Sequence, residues 1–452
     1  MMTILLTNSG DIPLHVIEQK AFATWLSEQE EHVQNWLLHT NFSSGVTTIP
    51  GESGRIALAL CVANNIDQFF ATGDLVNKLP PNSYQLMTHE GAELATAFSW
   101  LAGSYRFSRY LEQSNTFPTL ALENQAVIDT ATQLFDATAM VRDLVNTPAG
   151  DMMPEHLSET MQALAAKFSG DFSEIVGDEL LTENYPTIHA VGRASVHAPR
   201  LLDLTWGDEN APKVTLVGKG VCFDSGGLDL KPAAGMRQMK KDMGGSAHVI
   251  GLAQLIMSAN LPVRLRVLVP AVENAVAGNA FRPGDVIKTR QGLTVEIDNT
   301  DAEGRLVMCD ALTEAETQSP DLLIDFATLT GAMRVALGTE LPGFFSTSKN
   351  IANELIEAGD AVDDPVWQMP LFQSYNDLLK SDIADLSNCA VGPFGGAITA
   401  ALYLQHFVGA STNWLHFDIM AFNNRALPGK PKGGEAFGIR AVFEYLQRRY
   451  SA

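Results

Sequence analysis

Cysteine is scarce in this chain: four residues in 452, Cys61, Cys222, Cys309 and Cys389, with no CxxC spacing among them. That excludes a zinc knuckle or a disulfide framework and fits a reducing compartment. No stretch offers about 18 uninterrupted apolar residues, so no membrane span is expected. The opening MMTILLTNSGDIPLH lacks a basic n-region and does not read as a signal peptide, which makes a cytoplasmic location the expectation. Positive charge is also short, with 30 Lys and Arg against 52 Asp and Glu, a net charge of −22. Such a surface repels phosphate backbones and anionic membranes, and no Lys/Arg block offsets it, so nucleic acid is an unfavoured partner. GKG at Gly218–Gly220 is no phosphate loop, because G-x-x-x-x-G-K-[ST] is absent. There is no internal repeat and no low-complexity tract.

What is present suffices for more than one core. Hydrophobic residues make up 46% of a 452-residue chain, longer than a single core usually supports, so two domains are expected. Residues 1–118 mix short apolar runs with turn-rich segments and read as a small N-terminal α/β domain. Residues 119–147 hold a helical pattern, with Val127, Ala131, Leu134, Ala137 and Val141 on one face and NTPAG as its stop, and read as a linking helix. From 148 to 452, β-rich runs at 214–217, 263–269, 322–327 and 414–419 alternate with helical stretches near 244–259, 305–317 and 397–408. That alternation predicts an α/β domain whose central sheet is mixed, largely parallel and flanked by helices. Ligands of such sheets sit beyond the carboxyl ends of the strands.

The unusual charges fall at those ends. VGKGVCFDSGGLDLKP carries Lys219, Asp224, Asp229 and Lys231; MKKDMGGSAH carries Asp242; NTDAEGR carries Asp301, Glu303 and Arg305; DFATLTGA carries Thr328, Leu329 and Gly331. If NTDAEGR is extended, residues two apart share a face and its three charges converge. Carboxylates held that close repel unless a cation lies between them. Oxygen-rich ligands without Cys or a His pair suit Mn²⁺, Mg²⁺ or Zn²⁺. Taken singly, each residue has an ordinary explanation. Asp224 could be a turn residue, Lys231 a solvated lysine, Met236, Met239 and Met243 packing residues, and His248 and His416 satisfied core histidines. Four such segments in order along one sheet edge outweigh those explanations. Two-metal carboxylate sites serve phosphoester as well as peptide hydrolysis, so the metal site alone leaves the reaction open.

These motifs together resemble the leucyl (cytosol) aminopeptidase family of dinuclear metallopeptidases. NTDAEGR, VGKG with FDSGG and KP, KKDM and DFATLTGA carry the resemblance. NTPAG, SDIADLSN and WLHFDI extend it over about 143–419. The resemblance implies removal of N-terminal residues from peptides by a water activated between two divalent ions, Mn²⁺ or Zn²⁺ with Mg²⁺ also compatible. Lys219, Asp224, Asp242 and Glu303 would hold one ion, and Asp224, Glu303 and Asp301 the other. Lys231 would stabilise the oxyanion, and Arg305 would hold a bicarbonate as general base. Met239, Thr328 and Gly331 would line the pocket for the substrate's first side chain, favouring Leu or Met. Asn299, Ala302 and Leu329 would face the second residue. A homohexamer is also implied.

Overall fold

The computed structural model describes residues 5–111 and 116–451. They form two compact units, 1–139 with 424–432 and 140–423 with 433–452. Helix α1 (Gln125–Asn146) runs through the boundary between them. Among the described residues, no helix is long and apolar enough to cross a membrane.

The first unit holds a six-stranded sheet. Five of its strands are parallel, with Ile12–Glu18 between Ile56–Ala63 and Ser83–Met87; Gly45–Pro50 runs antiparallel at one edge. Alternating burial along these strands and the all-buried inner face of the helix Glu90–Ser104 close its core.

The second unit is built on a nine-stranded sheet. At its centre lie β1 (Lys213–Gly218), β3 (Arg264–Asn274), β4 (Leu322–Ala327) and β5 (Trp414–Asp418), all mutually parallel, with β2 (Gly220–Asp224) pairing parallel to β3. Antiparallel strands at Arg200–Trp206 and Gly343–Ser346 flank this parallel block, so the sheet is mixed but largely parallel. The central strands Leu322–Ala327 and Trp414–Asp418 are buried along their whole length because both faces are covered. One cover is α2 (Gly244–Ser258), buried from Gly244 to Met257, as expected for a helix apolar all round. The other includes α3 (Gly304–Glu316) and α5 (Gly396–Gln405), with α4 (Gly331–Leu337) starting just beyond β4. Strand order brings the loops after β1, β2, β4 and β5 to one edge.

Candidate active site

Three buried carboxylates meet at that edge: one oxygen each of Asp224, Asp242 and Glu303 lies within 4.8 Å of the others. Asp224 ends β2, where its Oδ1 accepts from the Gly226 N–H and from Asn274 Nδ2, both at 2.9 Å. Asp242 lies in a tight turn before α2, and its Oδ1 accepts from Thr328 Oγ1 at 2.9 Å and from Lys241 Nζ at 3.1 Å. Glu303 is the residue immediately before α3 and is fully buried.

Lysines enter between these acids. Lys219, just past β1, reaches Asp242 Oδ2 at 2.7 Å and Glu303 Oε1 at 2.9 Å. It passes over Gly304, where a Cβ would stand 2.6 Å from Lys219 Nζ, so a larger residue there would displace the lysine from its carboxylates. Lys231 contacts Asp224 Oδ2 at 2.7 Å and Asp301 Oδ1 more closely still. Burial opposes the charge on Lys219 and Lys231, yet the surrounding carboxylates outweigh it and hold both above the ordinary lysine range. Burial and Asp224 push Glu303 up to about 8, with Lys219 offsetting only part of that rise. Burial likewise would raise Asp242, but Lys219 and Lys241 hold it below the usual carboxylate range. Burial and the nearby Asp224 raise Asp301.

The hydrogen-bonding capacity of this cluster is incomplete. Glu303 Oε2, buried, accepts no hydrogen bond; Glu303 Oε1, Asp242 Oδ2 and Asp301 Oδ1 have lysine contacts without hydrogen-bond direction. A buried carboxylate oxygen left so costs several kcal/mol, on the order of the penalty for an uncompensated ion. Four carboxylates around such oxygens fit divalent cations, and the donor set suits oxygen-preferring or borderline metals.

The NTDAEGR segment is a turn, not a strand. The Ala302 N–H bonds the Asn299 carbonyl at 3.2 Å, and Glu303 is already in helical conformation because α3 starts at Gly304. Extended alternation therefore does not bring all three charges together. Asp301 and Glu303 stay with the lysines, whereas Arg305 makes no ion pair with the four carboxylates. It donates from Nη1 to the Asn388 carbonyl at 2.8 Å, lies 6.0 Å from the Tyr403 ring centre, and leaves its buried Nε without a partner. Burial lowers its pKa from the usual guanidinium value.

The other predicted residues surround this centre. Thr328 bonds Asp242 directly. Leu329, half-buried, donates its N–H to Asp418 Oδ1 at 3.0 Å and packs on the apolar cluster under the sheet. Met239 is buried in the turn that carries Asp242, and Gly331 opens α4. Asn299 is occupied inside its own turn, its Oδ1 accepting from the Asp301 N–H at 2.7 Å. The carbonyls of Asn299 and Ala302 accept from Asn388 Nδ2 at 2.7 and 3.3 Å. Of the two histidines expected to be satisfied core residues, both are buried, but only His248 has a partner on each ring nitrogen; His416 Nε2 has none. His248 bonds the Gly244 carbonyl at 2.6 Å and accepts the Phe437 N–H at 3.0 Å. His416 is buried and bonds Asp325 Oδ1 at 2.6 Å.

Asn388 and Asn274 hold the site without having been singled out from the sequence, and Asp229 was named there without a role. Asn388 fixes NTDAEGR from 83 to 89 residues away, its Oδ1 also accepting from the Asp298 N–H at 2.8 Å. Asn274 bridges Asp224 and the Thr300 carbonyl (3.1 Å). Asp229 accepts from the Thr300 N–H at 2.7 Å and ties the Lys231 loop to the Asp301 turn. Asn388 closes the quoted SDIADLSN, which was a usable signal; Asn274 carried none.

Comparison with known proteins accords with this geometry. The catalytic-domain signature of the cytosol aminopeptidase family matches residues 139–443, more than half the chain. The chain belongs to that family. The N-terminal domain signature of the same M17 aminopeptidases matches residues 12–123. A probable cytosol aminopeptidase of Geobacter sp. (strain M21) is 40% identical over 371 residues, 78% of this chain and 75% of that protein. One from Roseiflexus castenholzii is 37% identical over 402 residues, 84% of this chain and 80% of that one. The crystal structure of cytosol aminopeptidase from Coxiella burnetii superposes with a TM-score of 0.95 at 46% identity, covering 99% of both chains. The bottromycin maturation enzyme BotP, in complex with Mn, superposes at 0.88 with 30% identity, covering 98% of this chain and 100% of that one. As a member of that family the chain is a hydrolase of the metallo-exopeptidase kind, on the family's two-domain α/β fold.

Proposed function

We propose that the buried cluster holds two divalent ions and that the enzyme releases N-terminal residues, Leu and Met among them, from peptides. The observation that carries this reading is Glu303, fully buried with Oε2 unpartnered between Asp224, Asp242 and Lys219. Lys219, Asp224, Asp242 and Glu303 would hold one ion, and Asp224, Glu303 and Asp301 the other; Mn²⁺ or Zn²⁺ suits the set, with Mg²⁺ also compatible. Bound, the ions would supply Lewis acidity and an activated water.

The chain's own residues divide the remaining tasks. Lys219 binds a metal only as a neutral amine, and in the free protein its carboxylate neighbours keep it protonated. Loading should therefore release a proton and strengthen as pH rises. Lys231 Nζ, once ions neutralise Asp224 and Asp301, is free to donate to an oxyanion developing on the scissile carbonyl. Arg305 Nε is a buried donor awaiting an acceptor, which supports a small anion such as bicarbonate there. Met239, Thr328 and Gly331 would receive the first side chain, whose burial is worth about 1.5–3 kcal/mol for an aliphatic residue. Asn299, Ala302 and Leu329 would face the second. A cytoplasmic homohexamer belongs to the same reading.

The test is metal content beside hydrolysis of leucine p-nitroanilide and p-nitrophenyl phosphate. Asp224→Ala and Glu303→Ala should each lose metal and peptidase activity, and the native enzyme should leave the phosphate ester intact. Two retained ions and a near-native rate in either variant would refute the bridging roles.

A further inference from the structure

Among the described residues, one cation beside the proposed pocket has no ion-pair partner. Arg334 lies on α4 one turn after Gly331, on the same face of the helix. A Cβ placed on Gly331 would stand 3.3 Å from Arg334 Nη2, so the guanidinium occupies the space into which residue 331 points. Its Nη1 donates to Met420 Sδ at 3.5 Å, and a thioether is a weak acceptor. Met420 follows β5, and the Ile419 N–H bonds the Ala327 carbonyl at 2.9 Å, so Met420 and the loop Thr328–Gly331 are neighbours. Among the described residues Arg334 has no carboxylate within ion-pair distance, although the chain carries 52 acids. Lys241, by contrast, is matched by Asp242 Oδ1 at 3.1 Å.

We propose that Arg334 is a specificity-determining residue that turns the first side-chain pocket toward acceptor-bearing residues. Glu and Gln are taken there alongside Leu and Met, and Lys and Arg are disfavoured. The inference rests on the aminopeptidase reading and on Met239, Thr328 and Gly331 receiving that side chain. Glu has a stem much like that of Met, so the same apolar walls accept it. Its carboxylate can replace Met420 sulfur as the guanidinium's partner, in a charge-assisted bond that a planar fork can make bidentate. A lysine ammonium placed there meets like charge and loses its water, which is discrimination by repulsion. Because Arg334 is only half-buried, solvent screens the effect, and about tenfold is expected, not the larger factor of a sealed site.

The experiment measures kcat/KM for Glu-, Gln-, Leu-, Met- and Lys-p-nitroanilide with metal-loaded full-length native enzyme, Arg334→Met and Arg334→Glu. The readout is the Glu-to-Lys ratio within each protein, so any general loss of activity cancels. The native ratio should exceed one by about tenfold and shrink at high salt. Arg334→Met should bring it near one, and Arg334→Glu should invert it, mainly through KM. A native enzyme that prefers Lys to Glu, or a native ratio indifferent to salt, overturns the proposal even if neither variant folds. So does a ratio that charge reversal leaves within twofold. Failure of the native enzyme on all five anilides would overturn the aminopeptidase reading itself, whereas good cleavage of Leu with no Glu–Lys preference would overturn only the role of Arg334.

Discussion

Both units of this chain place charged side chains at the carboxyl ends of parallel strands, but they treat those charges differently. In the first unit a crevice of about 870 Å³ opens beyond Ile12–Glu18 and Ser83–Met87, lined by His15, Glu18, Lys20, Asp67, His89 and Glu93. Lys20 pairs with Glu18 there, its side chain 84% exposed. In the catalytic unit, Asp224, Asp242 and Lys219 keep no more than 3% of their side chains exposed, and Glu303 none of its residue surface. A parallel sheet's edge offers a place for a ligand, but not the chemistry. Solvated charges are already satisfied by water, so they gain little from a new partner. Buried ones with unfilled lone pairs carry a standing cost that a cation removes.

The contrast can be broken most decisively at Lys231. Lys231→Ala should lower kcat by about 100-fold or more, on the scale of losing an oxyanion donor, while metal content stays at the native level. Added bicarbonate should stimulate the native enzyme, and Arg305→Ala should cost less and lose that stimulation. Metal lost from Lys231→Ala would show that it is a ligand. Equal bicarbonate stimulation in both proteins would remove Arg305 from that role.

A smaller effect separates buried from solvated histidine. Burial holds His248 down to about 4, and its two nitrogens suit only the neutral ring, Nδ1 donating to Gly244 and Nε2 accepting from Phe437. The unfolded chain takes that proton near the ordinary value of 6.5. Stability from this residue is thus complete above 6.5 and falls as the pH drops toward 4, by an amount on the order of 3 kcal/mol. Thermal unfolding of metal-free protein across that range should be steeper in pH for native than for His248→Gln. Parallel curves would mean that the ring is not buried neutral.

The smallest effect belongs to the first unit's open crevice. Lys20→Ala should leave melting temperature and kcat/KM unchanged within error, since an exposed ion pair contributes little. A clear drop in either would erase the distinction between the two edges.

The sequence by itself determined the alternation of strand and helix, because apolar runs and their stops are local properties. The expected strands at 214–217 and 322–327 and the helices near 244–259 and 305–317 lie inside or close to the observed elements. It also marked the charged loops, since a parallel strand's exit is where turn residues must follow. It did not fix where side chains point. Asp301, Glu303 and Arg305 look equivalent in a row, but a helix that begins at Gly304 sends the arginine to Asn388 and leaves the acids with the lysines. Lys240 and Lys241 are indistinguishable as letters. One reaches the carbonyl of Asn146, and the other is buried against Asp242. Asn274, Asn388 and Arg334 acquire meaning only from partners 26 to 90 residues away. Those pairings depend on strand order, on which loops the order places side by side, and on burial. Spacing along the chain encodes none of these, because they are set by how distant segments share one desolvated space.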